Sequence, residues 1–338
     1  MSTPFDKKTM RVAVCQLEPV WLDTNACIDK AIGAIKEAAA KGAELECWIP
    51  GFAHGIMVGA PDPAWVLKYQ KASMSLNSPE FDRLRQGVRE AGVWVVMGFS
   101  ERAGSSLYMA QSFISPSGEV ALHRRKFRPT HAERYLWGEA NGDSLECTVE
   151  TEKGVVIGGL ECWEHLQPLL RFYEYSKGVQ VHVASWPHLA PYGPGVPYQS
   201  SGTASANATS FMALEGGCFT LCCSQITSKE GSAIMNVKTL DNSTQCAVPL
   251  EGGGFSGIYA PDGRRLTPEV DHKEEIILYA DLDFDEILQA KQMADCVGHY
   301  SRPEILSLNV NTERKTIVNH ADGRHKKTLT ELVKPLSL

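Results

Sequence analysis

Short apolar strands alternate with amphipathic helices along nearly the whole chain, and this rhythm restricts the folds that the chain can adopt. Residues 10–16 have the spacing of a strand, and Asp23 or Thr24 then caps a helix that ends at Gly42. A second helix begins after the cap Ser78, and another strand follows it. Because no linker interrupts this pattern in 338 residues, we expect a single α/β domain whose sheets are covered by helices.

A hairpin and a polar tail complete the predicted organisation. Residues 107–114 and 119–123 flank a Ser-Pro-Ser-Gly turn, so we expect mixed sheets that contain antiparallel as well as parallel strands. Near residue 309 the chain becomes polar, with few large apolar side chains. We therefore assign residues 1–308 to the folded domain and residues 309–338 to an extension that is mobile or lies at a subunit contact.

The composition is that of an ordinary globular protein and excludes several classes of partner. Apolar residues make up 43% of the chain and charged residues 22%, and the net charge is −7. A negative net charge argues against binding to nucleic-acid phosphates, and no apolar run is long enough to predict a membrane span. The ten cysteines lack the paired spacing of zinc or redox sites, so we expect no metal, mostly buried free thiols and a cytoplasmic location.

Cys162 stands where a predicted strand becomes a predicted helix. The apolar run 155–160 stops just before it, and helical spacing resumes over residues 163–175. The N-terminus of a helix has free N–H groups and a partial positive charge, which favour a thiolate and offer donors to an anionic intermediate. Cys162 is therefore a candidate nucleophile, although a buried structural thiol at a tight turn fits the same position.

His165 follows Cys162 by three residues and invites comparison with the Cys–His pair of thiol proteases. The base of such a pair usually comes from a distant part of the chain, and residues three apart on a helix do not face each other as the pair requires. We therefore favour a solvated or helix-capping role for His165.

Two acidic residues interrupt the strand-like segment 43–49. A carboxylate held at the end of a sheet becomes more basic as it loses water, which suits a general base. Glu46 is followed by Cys-Trp-Ile and then by the turn Pro50-Gly51, so it lies near the end of the strand and fits this role. Glu44 fits an outward-facing position on an edge strand better. The alternative for both residues is a plain surface strand.

A basic run, His123-Arg124-Arg125-Lys126, lies at the exit of the predicted hairpin. Such a run is usually a solvated face or a subunit contact. At the end of a strand, one of its members could instead point inward and stabilise negative charge that develops on nitrogen or oxygen. Glu133, seven residues after Lys126, could pair with it or be a surface acid.

Three segments, in order, resemble motifs of the nitrilase superfamily. Residues 46–52, Glu-Cys-Trp-Ile-Pro-Gly-Phe, resemble the segment around the family's catalytic glutamate. Residues 123–133 resemble the lysine motif, and residues 158–165, Gly-Gly-Leu-Glu-Cys-Trp-Glu-His, resemble the nucleophile motif. Residues 163–170 are similar to the true nitrilase branch, especially to fungal arylacetonitrilases, and further matches extend the resemblance across roughly residues 10–308.

The resemblance implies a fold and a set of roles. The fold is a four-layer α-β-β-α sandwich in which Glu, Lys and Cys each stand at the end of a strand. By position, Cys162 would be the nucleophile, Glu46 the general base, Lys126 the stabiliser of the tetrahedral species and Glu133 an additional acid. The family needs no cofactor or metal. Residues expected near the substrate pocket are Trp163, Glu164, Trp186 and His54.

The implied reaction is hydrolysis of organic nitriles, arylaceto- or aromatic ones, to a carboxylic acid and ammonia through a thioimidate and a thioester. Hydration of cyanide to formamide by the same residues is a close alternative. A third possibility is an inactive member of the family that only assembles. Relatives commonly form dimers that extend into spirals or filaments, so we also expect a homo-oligomer.

One departure from the family pattern concerns Glu46. Relatives usually have about four more apolar residues, ending in Phe-Pro, between the Gly-Ala-acid-Leu motif at 42–45 and the catalytic glutamate. At about 3.3 Å per residue, their loss removes about 13 Å of strand. Either the strand is rebuilt from residues that precede it, which would shorten the helix near Ala38, or Glu46 is displaced.

Overall fold

The computed structural model describes residues 8–48, 62–235, 251–314 and 329–336, and its strands form two mixed sheets. The strands in chain order are β1 Thr9–Gln16, β2 Leu45–Trp48, β3 Trp94–Ala103, β4 Ser106–Ile114, β5 Val120–Arg125, β6 Thr148–Glu150, β7 Val156–Glu161, β8 Val181–Trp186, β9 Phe219–Ser224, β10 Gly257–Tyr259 and β11 Ile276–Asp283. The first sheet has the order β11-β1-β2-β3-β4-β5 and the second β10-β9-β8-β7-β6. The central strands of each sheet are parallel and antiparallel strands flank them, as the predicted hairpin required.

Helices cover the outer faces of both sheets. They are α1 Thr24–Ala40, α2 Pro63–Ala72, α3 Pro79–Ala91, α4 Pro168–Ser176, α5 Gly202–Gly216, α6 Lys229–Ile234 and α7 Asp285–Met293. The predicted caps are confirmed, because the side chains of Asp23 and Ser78 accept hydrogen bonds from the first turns of α1 and α3. Helices α2 and α6 were not predicted. Each described helix is too short or too polar to span a bilayer.

Alternate residues along the strands divide the core into layers. Val12, Val96 and Val183 face the space between the two sheets and form one large apolar cluster there. Residues of the opposite parity on the first sheet, such as Val95, pack against α1 and α3. On the second sheet, Leu160 packs against α4 and α5. The predicted four-layer α-β-β-α sandwich is confirmed.

Strand β2 is short and holds Glu46 in the middle of the first sheet. Helix α1 extends to Ala40 and Gly42 adopts a left-handed φ of 84°, so the helix has not been shortened to rebuild the strand. Glu46 lies level with Val95 on β3. Four more residues in β2 would have brought the carboxyl group level with Phe99. The shortened segment left two possibilities, a strand rebuilt from preceding residues or a displaced Glu46. The structure shows the displaced Glu46.

The side chain of Glu46 faces the helices on the outer side of the first sheet. Its neighbours Leu45 and Cys47 belong to the cluster between the sheets, so strand alternation directs Glu46 the other way. There Cys15 donates its thiol hydrogen to Glu46 Oε1 at 2.9 Å. Burial raises the pKa of Glu46 to about 7, and the Cys15 hydrogen bond opposes this rise.

Part of the C-terminal extension packs against its own chain. Residues 329–336 lie beside β5, an edge strand, and Thr330 Oγ1 accepts the backbone N–H of His123 at 2.9 Å. Leu329 and Leu336 are buried, and Arg85 donates to the carbonyl oxygen of Lys334 at 2.9 Å. These eight residues therefore have partners within their own chain, and the expectation that the extension is mobile or lies at a subunit contact stays a prediction.

The buried position of Glu46 predicts a specific dependence of stability on pH. Its pKa is about 7 in the fold against an ordinary value of 4.5 for a glutamate carboxyl, so the fold binds the proton more tightly than the unfolded chain does. The contribution of Glu46 to stability therefore falls as pH rises from about 4.5 to about 7, by roughly 3 kcal/mol in all. Glu46→Gln should remove this loss. Urea unfolding at about pH 4 and about pH 8 measures it, and a stability difference between variant and wild type that does not change with pH would contradict it.

Candidate active site

Cys162 lies at the carboxyl end of β7 in a strained backbone conformation. Its φ is 53°, in the left-handed region that non-glycine residues rarely adopt, and such a conformation persists only where the surroundings enforce it. A 3-10 helix, Cys162–Leu166, begins at this residue, and the thiol is 7% exposed. The nucleophile candidate therefore stands at a tight turn between a strand and a short helix, as predicted.

The helix that follows Cys162 is shorter than the sequence suggested. The single helix expected over residues 163–175 is divided, because Pro168 cannot continue the first segment and Gln167 before it is extended. A five-residue 3-10 helix provides little dipole. Burial raises the pKa of Cys162 to about 12, although the cation of Lys126 opposes this shift. The prediction that the turn favours a thiolate is thus wrong for the free protein, and a base must remove the thiol proton.

Lys126 and Glu133 form a buried ion pair beside Cys162. Lys126 Nζ lies 2.6 Å from Glu133 Oε2, and the backbone N–H of Thr130 donates to the same oxygen. Burial disfavours the charge on Lys126, but Glu133 and then Cys162 outweigh it and raise the pKa of the ammonium. Lys126 in turn lowers the pKa of Cys162, and Glu133 raises it. The three groups therefore lie within electrostatic reach of one another.

Glu46 does not join this group. Lys126 donates its backbone N–H to Met109, which pairs with Ser100 on β3, whereas Glu46 pairs with Val95. The two levels differ by five residues of β3, or about 16 Å along the strand. The side chain of Glu46 also faces the helices. The expectation that Glu46 stands beside Cys162 is therefore wrong for this arrangement, because β2 is too short to deliver it.

A buried salt bridge joins the two strand ends that form the site. Arg124 Nη2 lies 2.8 Å from both carboxylate oxygens of Glu164, and these oxygens also accept the backbone N–H groups of Phe127 and Glu161. Burial raises the pKa of Glu164, but Arg124 outweighs burial and holds it lowered. Glu164 was expected in the substrate pocket. Its oxygens are instead engaged by protein donors, so it ties the residue after Lys126 to the residue before Cys162.

The basic run of residues 123–126 is buried and paired throughout, which corrects the interpretation that most of it is solvated. His123 and Arg125 both bind Glu101, at 3.1 Å and 2.5 Å. Arg124 and Lys126 point the other way, to Glu164 and Glu133. Because side chains alternate along the strand, the basic residues on one face bind Glu101 and those on the other face bind Glu164 and Glu133. The available sequence signals for this arrangement were Glu101, shortly after the apolar run 93–99, and Glu164, next to Trp163.

The remaining predicted residues lie around Cys162 in different ways. Trp163 is half-buried and packs against the cluster that contains Cys162, as expected of a residue near the pocket. Trp186 is fully buried, stacks on His165 with ring centroids 5.0 Å apart and donates to Thr209. It thus lies in the same buried cluster as Cys162 and holds the ring of His165. His54 lies outside the described residues.

Two polar residues near Cys162 were missed or misread. Glu161, directly before the nucleophile, is fully buried, and burial raises its pKa to about 8. Its charge raises the pKa of Cys162 and its nearest cation is Arg124, at 3.6 Å. His165 is buried and not solvated, because its Nδ1 lies 2.6 Å from the carbonyl oxygen of Cys162. An acid at the end of an apolar strand was the available signal for Glu161.

Comparison with known proteins shows the family of this chain. The sequence model of the carbon-nitrogen hydrolase family matches residues 11–292. A nitrilase from Talaromyces marneffei is 46% identical over 90% of this chain and 96% of its own length. An arylacetonitrilase from Hypocrea virens is 40% identical over 92% and 94% of the two chains. A cyanide hydratase from Armillaria gallica is 42% identical over 90% and 85%.

Solved structures share the fold at lower sequence identity. A carbon-nitrogen hydrolase from Helicobacter pylori G27 has a TM-score of 0.64 at 15% identity and covers 85% of this chain and 93% of its own. At this identity the likeness supports the sandwich architecture alone. The family match and the fungal relatives, by contrast, extend over most of the sequence. The chain therefore belongs to the carbon-nitrogen hydrolase family, the nitrilase superfamily.

Proposed function

We propose that this protein hydrolyses organic nitriles, of the arylaceto- or aromatic class, to carboxylic acid and ammonia. The observation that carries the proposal is the position of Cys162 beside the buried Lys126–Glu133 pair. A thiol, a fixed cation and a carboxylate are the groups that nucleophilic addition to a C≡N bond requires. The nitrilase and arylacetonitrilase relatives support this substrate class.

The reaction begins with addition of the Cys162 sulfur to the nitrile carbon. A base takes the thiol proton, and Lys126 stabilises the negative charge that develops on nitrogen, giving a thioimidate once nitrogen is protonated. Water then adds to the thioimidate carbon and ammonia leaves, which gives a thioester. A second water molecule releases the acid and restores the thiol.

We assign the proton transfers to Glu133, because Glu46 is buried within the first sheet and does not reach Cys162. Glu133 is the carboxylate that binds Lys126 and also acts on Cys162. The thiol pKa of about 12 makes deprotonation the costly step. A single carboxylate that already binds a lysine serves as a weaker base than two carboxylates would, so we expect slow turnover.

The product distribution tests the proposal. With phenylacetonitrile, we expect acid and ammonia in equal amounts, and Cys162→Ala should abolish both because the covalent intermediate cannot form. Cys27→Ala, which removes a partly exposed thiol on α1, is the matched control and should retain activity. Chromatography and ammonia release measure the products.

Other outcomes separate the alternatives. Formamide from cyanide without acid from nitriles would favour a cyanide hydratase, the activity named for one relative. No product from either substrate, together with a Cys162 no more reactive towards iodoacetamide than the other thiols, would favour an assembly that has lost catalysis.

Restoring the length of β2 should increase the rate. Insertion of two apolar residues followed by Phe-Pro between Leu45 and Glu46 moves Glu46 to about the level of Phe99, one residue from the level of Lys126. Because proline cannot continue a central strand, the ladder ends just before Glu46, and strand alternation no longer directs its side chain to the helices. A general base contributes about 10²–10⁴-fold, so we expect kcat to rise by at least about 10²-fold. The same insertion combined with Glu46→Gln is the control. Equal rates for the two insertion variants would show that Glu46 does not act as the base.

We further propose that the protein self-associates, as dimers that extend into spirals or filaments. Leu169 on α4 and Phe211 and Leu214 on α5 are each more than half exposed, at 59%, 52% and 54%. A second copy of this chain would cover these apolar side chains. The nine described cysteines are free, which supports a reducing compartment, and we propose the cytoplasm.

Sedimentation velocity tests the assembly. Phe211→Asp should reduce particle size because a charge cannot be buried in an apolar contact, and truncation after Val310 should also change it. Leu67→Asp, at an exposed apolar position on α2, is the matched control and should leave size unchanged. Identical profiles for wild type, Phe211→Asp and the truncation would contradict the proposal.

A further inference from the structure

Three buried side chains connect Cys162 to the outer helix layer of the second sheet. His165 Nδ1 lies 2.6 Å from the carbonyl oxygen of Cys162. His165 Nε2 lies 2.8 Å from His182 Nε2, and His182 Nδ1 lies 2.7 Å from Glu174 Oε1. Each of the three side chains is at most 1% exposed. These three side chains, here called the Glu174–His182–His165 row, thus form a continuous chain of polar contacts that is isolated from solvent.

The chemistry of each atom determines where the protons lie. A carbonyl oxygen can only accept, so His165 must carry its proton on Nδ1. If His165 is neutral, its Nε2 accepts, and His182 must donate from Nε2. His182 Nδ1 is then an acceptor, and Glu174 must supply the remaining hydrogen. A chain of neutral groups therefore requires Glu174 as a carboxylic acid.

An ionised chain with the same number of protons is the alternative. It places a carboxylate on Glu174 and an imidazolium on His182 or His165. The charged groups around the row are Arg124, Glu164 and Arg171, and Arg171 Nη1 donates to the carbonyl oxygen of His165 at 2.6 Å. Arg124 lowers the pKa of His182 and Arg171 lowers that of His165, whereas Glu164 raises both, so the surrounding charges oppose one another and burial is the larger effect.

Burial favours the neutral chain. It raises the pKa of Glu174 well above its usual value and is the largest cause of that shift. It also lowers the pKa of His182 to about 3, and the pKa of His165 falls well below its usual value for the same reason. Glu174 Oε2 has no hydrogen-bond partner, which costs an ionised carboxylate more than a neutral acid.

The backbone beneath Glu174 leaves space for this carboxyl group. A Cβ atom at Gly158 on β7 would lie 2.0 Å from Glu174 Oε1. Any side chain at Gly158 would therefore displace the acid from His182. Gly158 stands four residues before Cys162 on the same strand, so the strand that carries the nucleophile also makes room for the far end of the row.

We propose that Glu174, His182 and His165 act as positioning residues for Cys162, with Glu174 held as the neutral acid that donates to His182. The row fixes the carbonyl group of a residue whose φ is 53°, and Trp186 stacks on His165 to hold its ring. This orientation sets the direction of the sulfur relative to Lys126. The effect on turnover rests on the proposed function, whereas the protonation pattern does not.

The protonation pattern is tested on the wild-type protein by ¹⁵N NMR of the histidine rings. We expect His165 to carry a proton on Nδ1 alone and His182 on Nε2 alone, unchanged between about pH 5 and about pH 8. Infrared spectroscopy should show a buried carboxylic acid band that disappears in Glu174→Gln. An imidazolium signal from either residue would overturn the neutral row, whether or not the protein hydrolyses nitriles.

The positioning role is tested with two substitutions at Glu174. Glu174→Gln keeps a donor towards His182 and should retain kcat within about threefold, whereas Glu174→Met removes the donor and should lower kcat by about 10²-fold with little change in KM. The alkylation rate of Cys162 gives the same comparison if nitrile hydrolysis is absent. Equal losses in both variants, or none in Glu174→Met, would overturn the proposal. Where Glu174→Met does not fold, Gly158→Ala provides a second displacement of the acid.

Discussion

The buried pair of Arg124 and Glu164 is the interaction on which the site depends. Arg124 belongs to the first sheet and Glu164 to the turn after β7 of the second, so their salt bridge joins the two sheets at the level of Cys162. The same carboxylate accepts the backbone N–H groups that follow Lys126 and precede Cys162. Because removal of either partner would leave a buried charge uncompensated, the pair holds the lysine and the nucleophile in fixed relation.

Around this pair, buried ionisable groups are either paired with an opposite charge or shifted towards their neutral forms. Each basic residue of the run 123–126 has an acidic partner within the protein. Where burial outweighs the nearby opposite charge, as at Cys162 and Glu174, the group is driven towards its neutral form. Cys162 is accordingly a thiol at neutral pH, and the row from Glu174 to His165 is uncharged. Cys162 is thus held beside Lys126 as a thiol, and its activation requires transfer of the proton to a carboxylate, the role proposed for Glu133.

The position of Glu46 is set by the register of β2 in the sheet and not by the sequence motif around it. The register of β2 is set by its hydrogen bonds to β1 and β3 and by the apolar residues Leu45 and Cys47 that flank Glu46. A slip of four residues would have to unwind the end of α1, where Gly42 already makes the turn. The sheet therefore keeps its register and the carboxyl group remains buried beside Cys15, although the motif around it matches the family.

The sequence by itself determined the architecture and the family and supplied candidates for the reacting groups, because strand and helix periodicity, caps and three ordered motifs are local properties. It placed Cys162 at the end of a strand and named Lys126 and Glu133. Only the tertiary structure decided how these residues meet, because burial and pairing depend on strands distant in sequence. It turned Arg124 and Glu164 into a tie between the sheets, linked His165 to Glu174, raised the pKa of the thiol through burial, and left Glu46 about 16 Å short along its sheet.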